Sequence, residues 1–299
     1  MNKQDHISLV VASDNHYAIL LAALIKSIEV NHKTHEKVDF YVLDDGISAR
    51  NRRRLESTIN PEVTSLFWLK TNSIIPPDIT IPIDHTAFPF TTYYRLFAPH
   101  AISEDVKKVI YLDVDMIVLE DISKLWYTDI DDKLFAAVQD WQLTVSCSWG
   151  GIPNYKELAI PAETKYFNAG LMVMDTKKWR DEEVTSRVIK FMHNNINHIN
   201  FADQYGLNAV LYNQWYQLDP KWNWFAIFEN KEPYLIHYTD IKPTFKSYKS
   251  VPEFKDEFYK YLRLTPWKDH KPVGHYNRLF KKLCTKIKKK SLRIFAIKS

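Results

Sequence analysis

The sequence predicts an α/β fold: one large domain built on a doubly wound, mostly parallel sheet. Three observations predict it. Strand-like and helix-like stretches alternate from the amino terminus, the β-α-β-α-β order that builds such sheets. The candidate strands are continuous apolar runs, as strands buried on both faces require. A chain of 299 residues is long enough to bury a full core around one sheet.

Ile7-Ser8-Leu9-Val10-Val11-Ala12 is the first such run, with Ser13 to His16 as its exit loop, and Tyr17 to Val30 carries apolar residues at helical spacing. Val38 to Leu43 predicts a second strand, closed by the turn Asp44-Asp45-Gly46. Ser48 can cap a helix running to about Ile59, with Pro61 beyond it, and Val63 to Leu69 predicts a third strand. Ile74 to Pro89 is proline-rich and irregular, whereas Thr91 to Phe97 reads as helical. Further strands are expected at Leu134–Val138, ending at Gln139-Asp140, at Phe167–Asp175 and at Tyr234–Tyr238. Cys147 to Glu163 reads as a mobile loop. Thr176 to His193 predicts one amphipathic helix, and Asp203 begins another that ends near Tyr212.

The run Val109-Ile110-Tyr111-Leu112 leads straight into Asp113-Val114-Asp115. Ligands of open α/β sheets bind beyond the carboxyl ends of the strands. Residues two apart in an extended segment point the same way, so both carboxylates can face one ligand. Two adjacent carboxylates repel each other and invite a hard cation, Mg²⁺ or Mn²⁺. The bland alternative for any Asp-x-Asp is a solvated turn; the buried run before this one argues for the ligand reading.

Composition narrows the field. Two cysteines, Cys147 and Cys284, make neither a disulfide framework nor a zinc spacing, and they suit a reducing compartment. The amino terminus has no signal-like apolar region, and Tyr17 to Ile25 is too short to span a bilayer. From Arg278 onward there are nine basic residues and no acidic one, so the net charge of +4 hides a body that carries −5 without them. A basic body that would bind nucleic acid is therefore excluded. In the tail, Leu279, Phe280, Leu283, Ile287, Leu292, Ile294, Phe295 and Ile297 interleave with the lysines. This mixture predicts a basic amphipathic helical segment, 278–299, lying on an anionic membrane surface and separable from a domain spanning 1–277. The six glycines form neither a G-x-G-x-x-G loop nor a P-loop, so a bound diphosphate would need a metal to take its charge.

Six blocks in order resemble the retaining glycosyltransferases of family 8, especially the bacterial lipopolysaccharide α-galactosyltransferase and glucosyltransferase branch. They are Val11 to Tyr17, Thr92 to Leu96, Tyr111 to Asp115, Tyr166 to Gly170, Asp203-Gln204, and Ile236-His237-Tyr238 with Lys242-Pro243. The resemblance covers about Ile7 to Lys290. It implies a Rossmann-like domain of the GT-A type, a UDP-hexose donor (galactose or glucose) and a saccharide acceptor, oligosaccharide or lipid-linked. It also implies Mn²⁺, or Mg²⁺, on Asp113, Asp115 and His237, and an imidazole favours the transition metal. By the same resemblance Ala12, Asp14, His16 and Tyr17 hold uracil and ribose, with Val114 in the nucleotide-binding set. Arg95 meets the phosphate or sugar region and Lys242 counters the diphosphate. Asn168, Asp140 and Asp203 face the transferred hexose, and Gln204 lies near its anomeric carbon. From the residues alone, Asp203 serves equally as a helix cap.

Two departures mark this chain. Tyr205 and Gly206 follow Gln204 where many relatives carry an Asp. Asp240 replaces a glycine three residues after His237, Lys242 stands five rather than six residues on, and Thr244 replaces a tryptophan, so this loop takes a different path. The implied setting is the cytoplasmic face of the membrane, during surface-glycan synthesis. Two rivals are a haloacid-dehalogenase-like phosphatase, which also places Asp-x-Asp after a buried strand, and a non-catalytic UDP-sugar-binding protein.

Overall fold

The computed structural model describes residues 6–229 and 232–274, together with positions 276, 279, 280, 283, 284, 287 and 289–291; at 72, 142 and 143 it describes the backbone alone. Most of the expected tail, 278–299, lies outside the described residues.

The amino-terminal half follows the expected alternation. β1 (His6–Asp14) leads to α1 (Ala18–Asn31), β2 (Lys37–Asp45), α2 (Ala49–Glu56) and β3 (Thr64–Lys70). Ser48 caps α2 by accepting from the Asn51 amide at 3.3 Å. Gly46, at φ +85°, takes the left-handed turn that ends β2. A 3₁₀ stretch, Phe90–His100, precedes β4 (Lys108–Leu112). Then come β5 (Met116–Val118), α3 (Ile122–Trp126), β6 (Phe135–Thr144), β7 (Lys165–Asp175), α4 (Thr176–Asp181), α5 (Val184–Asn194) and α6 (Ala202–Val210). β8 (Trp215–Gln217), β9 (Trp224–Phe225), β10 (Leu235–His237) and α7 (Pro252–Leu262) complete the described chain.

The main sheet has the order β3-β2-β1-β4-β7-β6-β8. Its pairs are parallel except where β7 runs against β4 and β6. Successive strand residues point to opposite faces, and both faces are dry. Leu9 and Val11 join α1 and α7 in one core layer, while Val10 and Ala12 face the 3₁₀ stretch, α5 and α6 in the other. This accounts for the unbroken apolar runs in the sequence.

Four expectations are corrected. The run from Val109 to Val118 is not one element: the chain leaves the main sheet after Leu112 and enters a second, three-stranded sheet, β5-β10-β9, at Met116. The late strand ending at His237 belongs to this second sheet. β6 does not stop at Asp140 but continues to Thr144 against β7, with register shifts on the way. The helix expected over Thr176–His193 breaks at Glu183, whose φ is +49°. The break brings Thr185 Oγ1 to 3.0 Å from Trp179 Nε1 and 2.6 Å from the Leu96 carbonyl, satisfying a buried indole N–H that a straight helix would leave on another face. The segment 147–163 contains no regular element, yet Ile152, Asn154 and Ile160 are buried in it.

One tail residue departs from expectation. Lys289 is buried, and its ammonium lies 2.9 Å from Asp84 Oδ1 in the proline-rich segment, 5.3 Å from the centre of the Phe90 ring. Lys289 itself thus packs against the body of the protein.

Candidate functional site

The site forms where the two sheets meet. After β4 the Asp113 amide donates to the Gly170 carbonyl on β7 at 2.8 Å, and the Asp115 carbonyl accepts from the Tyr238 amide at 2.9 Å. These two backbone bonds pin Asp113-Val114-Asp115 between the sheets. Both carboxylates thus turn toward His237 at the end of β10. His237 Nε2 is 3.3 Å from Asp115 Oδ1 and 3.9 Å from Asp113 Oδ2. One ligand atom from each of the three residues lies within 4.8 Å of the others. Two carboxylates and one imidazole form a donor set that fits Mn²⁺.

Gly170 forms the wall beside this set. A Cβ there would stand 2.6 Å from His237 Cε1 and 3.0 Å from Asp113 Oδ2. Gly170→Ala is therefore expected to push the imidazole aside and weaken Mn²⁺ binding by about 10–100-fold, the range found when a ligand loses its orientation. Calorimetric titration with Mn²⁺ checks this; wild-type affinity would refute the crowding argument.

Arg95, from the 3₁₀ stretch, is buried between carboxylates. Its Nε is 2.8 Å from Asp203 Oδ2 and its Nη2 is 3.4 Å from Asp113 Oδ1. It also donates to the carbonyls of Thr92 and Ala169. Arg95 is thus a strut joining Asp113 to α6. Asp203 does not cap α6, since Phe201 holds the cap position without a side-chain bond. Burial pushes the Asp203 carboxyl up to about 7 although Arg95 opposes this. Burial likewise raises Asp113. Asp115 is held below the usual carboxylate range: burial acts upward, but the Lys242 ammonium and His237 outweigh it.

Asp140, Asn168 and Gln204 come together. Asn168 Nδ2 donates to Asp140 Oδ2 at 2.7 Å, and Gln204 Nε2 donates to the same oxygen at 3.2 Å. Gln204 Oε1 accepts from the Ala169 amide at 3.0 Å. Asp203 faces Arg95 and stands apart from this group. At the carboxyl end of β1, Asp14 Oδ1 accepts from the amides of His16 and Tyr17, both at 2.9 Å, and so shapes the β1–α1 turn. Ala12 and Val114 are buried. Despite its altered loop, Lys242 reaches the site, with Nζ 2.5 Å from Asp115 Oδ2.

One residue of the site has no motif in the sequence. Asn223 is buried, with Oδ1 2.9 Å from His237 Nδ1 and Nδ2 2.9 Å from Asn168 Oδ1. It sits between two tryptophans in an aromatic stretch, where nothing but its isolation as a polar residue marks it.

Among the described residues no helix is long and apolar enough to cross a membrane. The sequence model of Glycosyl transferase family 8 matches residues 8–246. General stress protein A of Bacillus subtilis (strain 168) is 31% identical over 288 residues, covering 89% of this chain and 96% of its own. Lipopolysaccharide 1,2-glucosyltransferase of Escherichia coli (strain K12) is 24% identical, covering 91% of this chain and 82% of its own. The crystal structure of the galactosyltransferase LgtC with donor and acceptor sugar analogs superposes with a TM-score of 0.70 at 23% identity, over 87% of this chain and 96% of that one. That likeness establishes a shared GT-A fold. With the family match spanning most of the chain, this protein belongs to glycosyltransferase family 8.

Proposed function

We propose that this glycosyltransferase moves a hexose, galactose or glucose, from a UDP-sugar to a saccharide acceptor, with metal dependence and with retention of the α configuration. The observation that carries the reading is the Asp113–Asp115–His237 cluster, joined through Gly170 and Asn168 to the Asp140–Gln204 group. A divalent ion bound there supplies positive charge to the departing diphosphate. Lys242, already within the site, adds a second positive charge on that side. Asn168, Asp140 and Gln204 orient the hexose, and Asp14 sets the turn that receives the base.

Retention by double displacement needs a nucleophile beneath the anomeric carbon. Gln204 is an amide with both ends already hydrogen-bonded, and Asp203 is turned to Arg95. This favours attack from the front face. The bond from the anomeric carbon to the diphosphate breaks, the bond to the acceptor oxygen forms on the same side, and the acceptor's proton passes to the leaving phosphate oxygen. The transition state resembles an oxocarbenium ion.

The lipopolysaccharide enzyme among the relatives supports a lipid-linked acceptor, and so do Leu279, Phe280, Leu283 and Ile287, which are all exposed. We include in the reading a peripheral position on the cytoplasmic face of an anionic membrane, where each surface Lys or Arg contributes about 1 kcal/mol. Thermal-shift measurements with UDP-galactose and UDP-glucose, with and without Mn²⁺, test the donor. A ligand at 100 times its Kd adds about 2.7 kcal/mol, and the shift is expected only when the metal is present. Proton NMR of the first product is expected to show an α linkage; a β coupling would overturn the retaining mechanism.

A further inference from the structure

We propose that Asn223 is a positioning residue that sets the tautomer of His237. It does so as one link in a hydrogen-bond chain of fixed polarity running from Asp140 to the metal cluster. The inference rests on the proposed metal reading for its importance, but its logic does not depend on a bound ion.

The chain is fixed at groups that cannot reverse. The Gly170 backbone N–H can only donate, and it meets Asn168 Oδ1 at 3.0 Å. The Asp140 carboxylate accepts at the other end of the same amide, from Asn168 Nδ2 at 2.7 Å. Asn168 is thus oriented twice over, with its carbonyl oxygen toward Asn223. That oxygen calls for a donor, so Asn223 must present Nδ2, at 2.9 Å. Asn223 Oδ1 is then left facing His237 Nδ1 at 2.9 Å, and an amide oxygen only accepts. A proton therefore sits on Nδ1, which leaves Nε2 as the nitrogen turned toward Asp113 and Asp115, at 3.9 and 3.3 Å. A metal-ligating imidazole needs its free nitrogen on that side, and the group bonded to the other nitrogen decides which one is free. Asp140, Asn168, Asn223 and His237 are all buried, so water is poorly placed to substitute for a lost link. The same chain passes through Asn168 and Asp140, which the proposed function assigns to the hexose. The orientation of the imidazole and that of the sugar-facing amide are thereby one structural unit.

The test begins on the wild-type protein without metal. Long-range ¹H–¹⁵N NMR is expected to show His237 with a protonated Nδ1; a pyridine-like Nδ1 overturns the proposal. Asn223→Leu removes the acceptor while keeping the volume close. It is expected to abolish the tautomer preference and to weaken Mn²⁺ binding, measured by calorimetry, by about 10–100-fold. Asn223→Asp keeps an acceptor for Nδ1 and is expected to keep the tautomer. Loss of the preference in this variant, or wild-type Mn²⁺ affinity in Asn223→Leu, overturns the assignment. If the wild type binds no Mn²⁺ at all, the metal reading fails, while the NMR signature still decides whether Asn223 sets the tautomer.

Discussion

Asp115→Asn is expected to lower sugar transfer by roughly 10³-fold, about 4 kcal/mol of transition-state stabilisation, while the protein stays folded. The substitution keeps the shape of the side chain and the backbone bond from Tyr238 to the Asp115 carbonyl. It removes the charge that the Lys242 ammonium meets at 2.5 Å and that faces His237 Nε2 at 3.3 Å. A proposed metal ligand and the partner of a buried ammonium are lost together. Asp113→Asn is expected to cost activity similarly and stability more, because Asp113 is also a partner of Arg95 and accepts from the Tyr111 hydroxyl at 2.9 Å. Turnover at low Mn²⁺ and thermal unfolding of both variants separate the two effects. Wild-type transfer by Asp115→Asn at limiting Mn²⁺ would remove this carboxylate from the metal site.

The sequence made the first five elements legible because their apolar runs reflect a sheet covered on both faces. The candidate site was legible where chemistry and short-range order coincide: Asp113 and Asp115 stand at a strand end, and Asn168 and Gln204 sit in the blocks that carry the resemblance. What stayed hidden depends on contacts across the fold. The run Val109–Val118 looks like one strand because the bonds that turn it aside, from Asp113 to Gly170 and from Asp115 to Tyr238, are made by distant segments. The break at Glu183 is invisible to an amphipathic pattern that continues on both sides of it, since its cause is the Trp179–Thr185–Leu96 contact. Arg95 reads as an ordinary helix-face arginine until two carboxylates from other elements are seen to close on it. Asn223 and Lys289 show the limit most plainly. A buried asparagine among tryptophans and one buried lysine in a lysine-rich run carry no local pattern that marks them.

Lys289→Ala is expected to destabilise the protein by about 3–5 kcal/mol, the cost of leaving one charge of a buried pair without its partner. At the stability slopes typical of a domain this size, that lowers Tm by about 10 °C. Asp84 and Lys289 have relative exposures of 0% and 1%, and their charged atoms are 2.9 Å apart. Burial pushes the Asp84 carboxyl up, but the Thr86 amide, the Tyr93 hydroxyl and Lys289 together hold it below its ordinary value. Its stabilising contribution is therefore present above the unfolded carboxylate range and is lost as pH falls through the lower folded value. Without Lys289, part of that depression disappears and the carboxylate is buried unpaired. Tyr93 lies two residues before Arg95, so the strain falls on the stretch that positions the strut between Asp113 and Asp203. Deleting 278–299 removes Lys289 as well, and a truncated protein is expected to lose stability together with any binding to anionic vesicles. Vesicle co-sedimentation of the truncation alone therefore confounds two roles. The double variant Asp84→Asn with Lys289→Met separates them, because replacing both partners of a buried pair is often close to neutral. A double-mutant cycle on Tm is expected to give a coupling of at least about 1 kcal/mol, within the range for residues in contact. Additive losses would mean that Lys289 and Asp84 do not stabilise one another.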